Sequence, residues 1–158
     1  MDTFDMLEFM REVVEDVQTI RKKEQLIHIG HAGETKVMLD QKKLRYILVN
    51  LLSNSIKYSP ENATIRISLS IDRDVVIAVQ DNGIGIPEDE QKYLYNKFFR
   101  AKNTGNVQGT GLGLTIVKRY VELMGGSVSF QSKIGEGTTF TINIPNLVVN
   151  EDGIDHRR

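Results

Sequence analysis

The sequence predicts an α/β two-layer sandwich built on a mixed sheet, and three observations carry that reading. Residues 64–71 alternate strictly, with Ile65, Ile67, Leu69 and Ile71 on one face and Arg66, Ser68 and Ser70 on the other, which is the pattern of a half-buried strand. Two long segments instead repeat their apolar residues at three- and four-residue spacing, as amphipathic helices do. Helices and strands also follow one another irregularly, with hairpins, rather than in a regular βαβ repeat.

Taken in chain order, residues 4–22 predict a helix, because Leu7, Met10, Val13, Val14, Val17 and Ile20 fall on one stripe. Two short β-prone runs follow, Leu26–Ile29 and Lys36–Leu39, separated by Gly30 and Gly33. Asp40 is a natural N-cap for a second helix running to about Lys57, which Pro60 stops soon after. After the alternating strand, Asp72–Asp74 turns the chain into Val75–Gln80, whose almost continuous apolar character predicts a strand covered on both faces. A short polar helix follows the Asp81–Pro87 turn, and then a segment rich in Gly, Asn, Thr and Lys over residues 100–112. A third helix begins near Leu114 and ends at Gly125-Gly126, the residue type favoured just past a helix C-terminus. Ser127–Ser132 and Thr138–Ile144 form a hairpin around Lys133–Gly137. Residues 1–146 are expected to be one domain and 147–158 a disordered tail, with fraying from about Asn146.

Composition bounds the function. The chain has 158 residues, 40% apolar and 26% charged, with 20 basic against 21 acidic side chains. That is one globular domain without the basic footprint of a nucleic-acid binder, so any phosphate recognition must be local. The absence of cysteine excludes a disulfide framework, thiolate metal sites and a cysteine nucleophile. No apolar run reaches the length of a membrane span, and the acidic N-terminus is unlike a signal peptide; a cytoplasmic domain is the expectation. Asn62-Ala63-Thr64 fits a glycosylation sequon, which this context makes a coincidence.

Three groups of residues could carry chemistry. On the second helix, at 100° per residue, Asn54 lies about 40° to one side of Asn50 and Lys57 about 20° to the other, on a narrow polar stripe about 130° from the apolar arc. Amide oxygens suit hard Mg²⁺, and an ammonium suits phosphate; alone, the stripe reads first as an ordinary solvated face. Asp81 closes an apolar strand before Gly83 and Gly85. A carboxylate there can accept from an adenine amino group and would face the carbonyl of guanine acceptor to acceptor, although Asp-Asn-Gly is also a common plain turn. Gly109, Gly111 and Gly113 precede a helix, leaving backbone N–H groups free to meet phosphate. That run is neither a Walker A loop nor a dinucleotide fingerprint, and by itself it reads as a surface loop.

Together these segments resemble a known family. LVNLLSNSIKYSP, DNGIGIP, KFFRAKN and GTGLGLTIVKRYVELMGG, in that order and followed by GEGTTFTINIP, are similar to the N, first G, F and second G boxes of sensor histidine kinase catalytic domains. These belong to the ATPase superfamily shared with gyrase, Hsp90 and MutL. The resemblance spans about residue 4 to Pro145. It implies a Bergerat-type fold, a mixed sheet covered by three helices, that binds ATP and Mg²⁺. It assigns catalytic roles to Asn50, Asn54 and Lys57, with Asn54 as metal ligand, Asn50 supporting it and Lys57 on phosphate. Tyr58 would flank the nucleotide, Asp81 would hold the adenine amino group with Thr138 helping through water, and Gly83, Gly85 and Ile86 would shape the pocket. Arg100, Lys102, Gly109, Thr110, Gly111, Leu112, Gly113 and Leu114 would belong to a lid over the phosphates. Hydrolases of the superfamily carry Glu at the place of Asn50; an amide cannot serve as general base, so transfer to another nucleophile is implied.

The acceptor histidine of the family sits on a separate dimerisation hairpin, in a context that His28, His31 and His156 lack. The resemblance therefore implies an isolated, monomeric catalytic domain. Its partners would be that hairpin and, downstream, a response regulator, with no nucleic acid and no direct membrane contact, whether or not the parent protein is membrane-anchored. An ATP-dependent interaction module and an anti-sigma-type serine kinase are the competing readings. Ser55 stands where the family commonly has alanine, with no loss of binding expected.

Overall fold

The computed structural model describes residues 1–97, 99–101 and 113–148. Its main sheet has five strands, β2 (Leu26–Gly33), β4 (Thr64–Ile71), β5 (Asp74–Gln80), β6 (Ser127–Lys133) and β7 (Gly137–Pro145), in the order β2-β4-β5-β7-β6. β2 runs parallel to β4 and every other pairing is antiparallel, so the sheet is mixed as expected. Helices α1 (Met6–Val17), α2 (Gln41–Tyr58) and α3 (Gly113–Leu123) form the second layer. A small ribbon pairs β1 (Asp2–Asp5) with β3 (Lys36–Leu39).

The first helix starts later than its apolar stripe suggests. Asp5 caps it, its carboxylate accepting from the Glu8 N–H at 2.9 Å, and the residues before it are drawn into β1 by pairing with a strand more than thirty positions away. Local periodicity carries no trace of such a partner. β2 likewise runs on through Gly30 to Gly33, because β4 offers it a continuous parallel ladder. The cap at Asp40 is as expected: its side chain accepts from Lys43 N–H at 3.1 Å. The third helix ends at Gly125, in the left-handed region at φ 77°, with the Gly126 N–H returning to the Val121 carbonyl.

The core lies between the layers. Met6, Met10 and Val13 of α1, Leu44, Ile47, Leu48, Leu51 and Leu52 of α2, and Val117 and Val121 of α3 meet Ile65, Ile67, Val75, Ile77, Val79, Ile142 and Ile144 of the sheet. β5 departs from its expected double cover. Val75, Ile77 and Val79 are buried, while Val76 and Ala78 on the outer face are only half-buried; the apolar run is sheltered there by flanking strands rather than by a layer. The chain does not loosen at Asn146. Its side chain accepts from Met38 N–H and donates to the Lys36 carbonyl, and its own N–H reaches Arg73. Residues 149–158 of the expected tail lie outside the described residues. Among the described residues no helix is long and apolar enough to cross a membrane.

Candidate functional site

Strand alternation puts Asp81 where it can act. It continues the inward parity of Val75, Ile77 and Val79 one step past the end of β5, so its carboxylate turns toward the helix layer and is 8% exposed. There Oδ1 accepts from the Gly83 N–H at 2.9 Å and from the Thr138 N–H at 3.1 Å. Thr138 occupies the same inward parity on β7, and its carbonyl accepts the Asp81 N–H at 2.9 Å. Burial pushes the Asp81 carboxyl above its ordinary value of 3.8, while the N–H groups of Gly83 and Thr138 and the Ser55 hydroxyl pull it back.

Ser55 lies close enough to Asp81 to bear on its carboxyl. It is 2% exposed, in the buried stripe of α2 beside Leu51, Leu52 and Ile56, and its hydroxyl draws the Asp81 carboxyl pKa downward. A polar residue in the middle of an apolar arc needs a buried partner; that was the available signal. That proximity sets the carboxyl beside the helix carrying Asn50, Asn54 and Lys57.

The turn after Asp81 is tied to the same helix. The Ile84 N–H donates to the Tyr58 carbonyl, at the last residue of α2, at 3.1 Å. A side chain at Gly83 would run into that carbonyl, and one at Gly85, whose φ is 73°, would run into the backbone of Lys133. The Ile86 N–H donates to the Ser132 hydroxyl at 2.8 Å, and that hydroxyl lies 2.7 Å from the hydroxyl of Thr138. Asp81, Gly83, Gly85, Ile86 and Thr138 thus form one wall, joined to Tyr58.

The other part of the site is the polar edge of α2. Asn50 and Asn54 are half-buried and Lys57 is exposed in the helix's last turn. The Asn50 amide nitrogen donates to the Tyr46 carbonyl at 2.8 Å, and its Oδ1 lies on the side of the residue that faces α3. Gly113, the first residue of α3, faces it: a Cβ there would stand 2.6 Å from Asn50 Oδ1. Glycine leaves open the space in front of that oxygen, and neutral oxygen donors of this kind fit Mg²⁺. Leu114 packs half-buried against the core and Arg100 is exposed. Lys102, Gly109, Thr110, Gly111 and Leu112 lie outside the described residues.

A mixed sheet under three helices, with a buried aspartate at a glycine turn bonded to the end of a helix that bears two asparagines, defines a class. The family model described as histidine kinase-, DNA gyrase B- and HSP90-like ATPase matches residues 39–148, and the chain belongs to that family. Among curated relatives, the circadian input-output histidine kinase CikA of Synechococcus elongatus is 36% identical over 89% of this chain and 20% of its own length. The sensor histidine kinase WalK of Bacillus subtilis is 37% identical over 75% of this chain and 20% of its own. The chain therefore spans about a fifth of the length of these relatives. In three dimensions it is similar to the mycobacterial sensor histidine kinase MprB, with a TM-score of 0.82 and 28% identity over 92% of this chain and 98% of that one. Full-length ShkA, solved in complex with AMPPNP, superposes with a TM-score of 0.79 and 26% identity, over 92% of this chain and 31% of that one.

Proposed function

We propose that this chain is the ATP- and Mg²⁺-binding catalytic domain of a two-component sensor histidine kinase. It would transfer the γ-phosphoryl group to a histidine on a separate dimerisation hairpin, from which a response regulator would take it. The observation that carries this reading is that the glycine turn after Asp81 is bonded to the end of the asparagine-bearing helix, the Ile84 N–H donating to the Tyr58 carbonyl at 3.1 Å. A purine held at one group places its phosphates along the other. Kinship with named sensor kinases and the nucleotide analogue bound by ShkA support the same assignment.

The roles follow from chemistry. Asp81 Oδ1 already accepts two backbone N–H groups, so its remaining acceptor capacity is what an adenine amino group would meet. Gly83 and Gly85 keep that wall flat enough for a ring. Asn54, with Asn50 in support, would hold Mg²⁺, which when bound neutralises phosphate charge. Lys57 would add a cation at the phosphate end, together with Arg100, Lys102 and the glycine segment from Gly109 to Gly113. Neither asparagine can take a proton from water at neutral pH. The residues thus favour positioning for an external nucleophile over hydrolysis, in keeping with a transfer whose rate comes mainly from alignment and charge stabilisation.

The test supplies a separately purified histidine-bearing hairpin from a sensor kinase together with radiolabelled ATP. Label on histidine with the wild-type domain, reduced at least ~100-fold by Asn54→Asp, is the expected outcome. Absence of transfer in every arrangement, with ATP still bound, would instead favour an ATP-dependent interaction module. Label on a serine of a protein substrate would favour the anti-sigma type.

A further inference from the structure

The last turn of α2 leaves carbonyls that a helix cannot satisfy by itself, and this helix ends at Ser59-Pro60 with no glycine cap. The carbonyls are instead capped from the connection between α1 and β2. Gln25 is wholly buried, and its Nε2 donates to the carbonyls of Ile56 at 3.0 Å, Ser59 at 3.3 Å and Pro60 at 3.2 Å. Its Oε1 accepts from Lys22 N–H at 2.9 Å, which fixes the orientation of the amide. The Lys22 ammonium adds bonds to the carbonyls of Lys57 at 3.2 Å and Ser59 at 2.6 Å. The remaining carbonyl in the series, that of Tyr58, accepts from Ile84 in the glycine turn.

The turn that receives these bonds carries Lys57 and Tyr58 and anchors the wall beside Asp81. We infer that Gln25, assisted by Lys22, is a positioning residue for the nucleotide site: it sets the height and rotation of the end of α2, and through Tyr58 the place of the Gly83–Gly85 turn. A chain segment with no residue in the site thereby fixes two of its parts relative to one another. The inference rests on the proposed function, because it is nucleotide that the two parts would grip.

The experiment uses the whole chain and ATP-Mg²⁺. Gln25→Met keeps the volume and removes the amide; Lys22→Met removes only the ammonium and provides a second variant if the first folds poorly. ATP affinity is measured by calorimetry well below the melting temperature, where the folded fraction is unchanged. Hydrogen exchange is followed at the Ile84 amide and, as reference, at the Val79 amide in the centre of the sheet. The expected result is an affinity about tenfold weaker for Gln25→Met, and a smaller loss for Lys22→Met, with Ile84 losing more protection than Val79. Unchanged affinity with a lowered melting temperature, or equal loss of protection at both amides, would reduce Gln25 to a packing role and overturn the inference. A wild-type chain that fails to bind ATP would overturn the proposed function itself, and the two failures are thereby told apart.

Discussion

The two ends of the site are built differently. Around Asp81 the geometry is fixed: two backbone N–H groups bond to one carboxylate oxygen, and the following glycine turn is pinned to the end of α2. Along the edge of α2, Asn50 and Asn54 are half-buried and Lys57 is exposed. The contrast assigns the labour. Under the proposed function, a flat, neutral ring would meet a rigid wall whose desolvation cost is met during folding, whereas a charged, hydrated phosphate–metal group would be met by side chains still in contact with water.

The largest effect expected from this contrast is base selectivity. GTP should bind at least ~100-fold more weakly than ATP by calorimetry, because its carbonyl would oppose a carboxylate that cannot move aside; comparable affinities would mean that Asp81 does not read the base. Next, Asp81→Asn should cost about 1–3 kcal/mol of ATP affinity without lowering the melting temperature at neutral pH, since it removes a charge held in a desolvated place. A loss of both together would make Asp81 a structural residue.

The third effect is a dependence on pH. Burial raises the Asp81 carboxyl above 3.8, so it takes up its proton at a higher pH than an exposed aspartate. Protonation removes acceptor capacity, and ATP affinity should fall as pH drops toward that raised value, a fall that Asp81→Asn should not show. For folding the sign is reversed. The unfolded carboxyl ionises at the lower pH, so raising pH through the window between the two values costs the wild type stability, and the difference between wild type and Asp81→Asn isolates that cost. The smallest effect is that of Ser55→Ala. Losing the hydroxyl should move the pH midpoint of ATP binding upward and weaken affinity by roughly threefold, within the range of one hydrogen bond; an unmoved midpoint would show that the serine does not bear on the carboxylate.

Most of the fold was legible, and the reasons are specific. The alternation of residues 64–71, the cap at Asp40 and the glycine pair at the end of α3 are local signals that survive in the structure. β1 was not legible, because its partner is remote in the chain, and the extension of β2 depends on a parallel neighbour that a strand cannot announce. In the site, Asp81, Asn50 and Asn54 stood out because motif spacing marks them. Ser55 showed only as a polar residue in an apolar arc and Gln25 not at all, since a hydroxyl or amide reveals its target only when two distant segments meet.

Asp81 has one further consequence, which follows from its address at the end of β5. That strand has β4 on one side and β7 on the other, and the turn that follows it is bonded to the end of α2, so a small molecule lodged there would brace sheet and helices against each other. Any compound that engages this position should delay heat-induced unfolding in proportion to its occupancy. A simple melting screen of purine analogues would then rank them for this domain without requiring an acceptor protein.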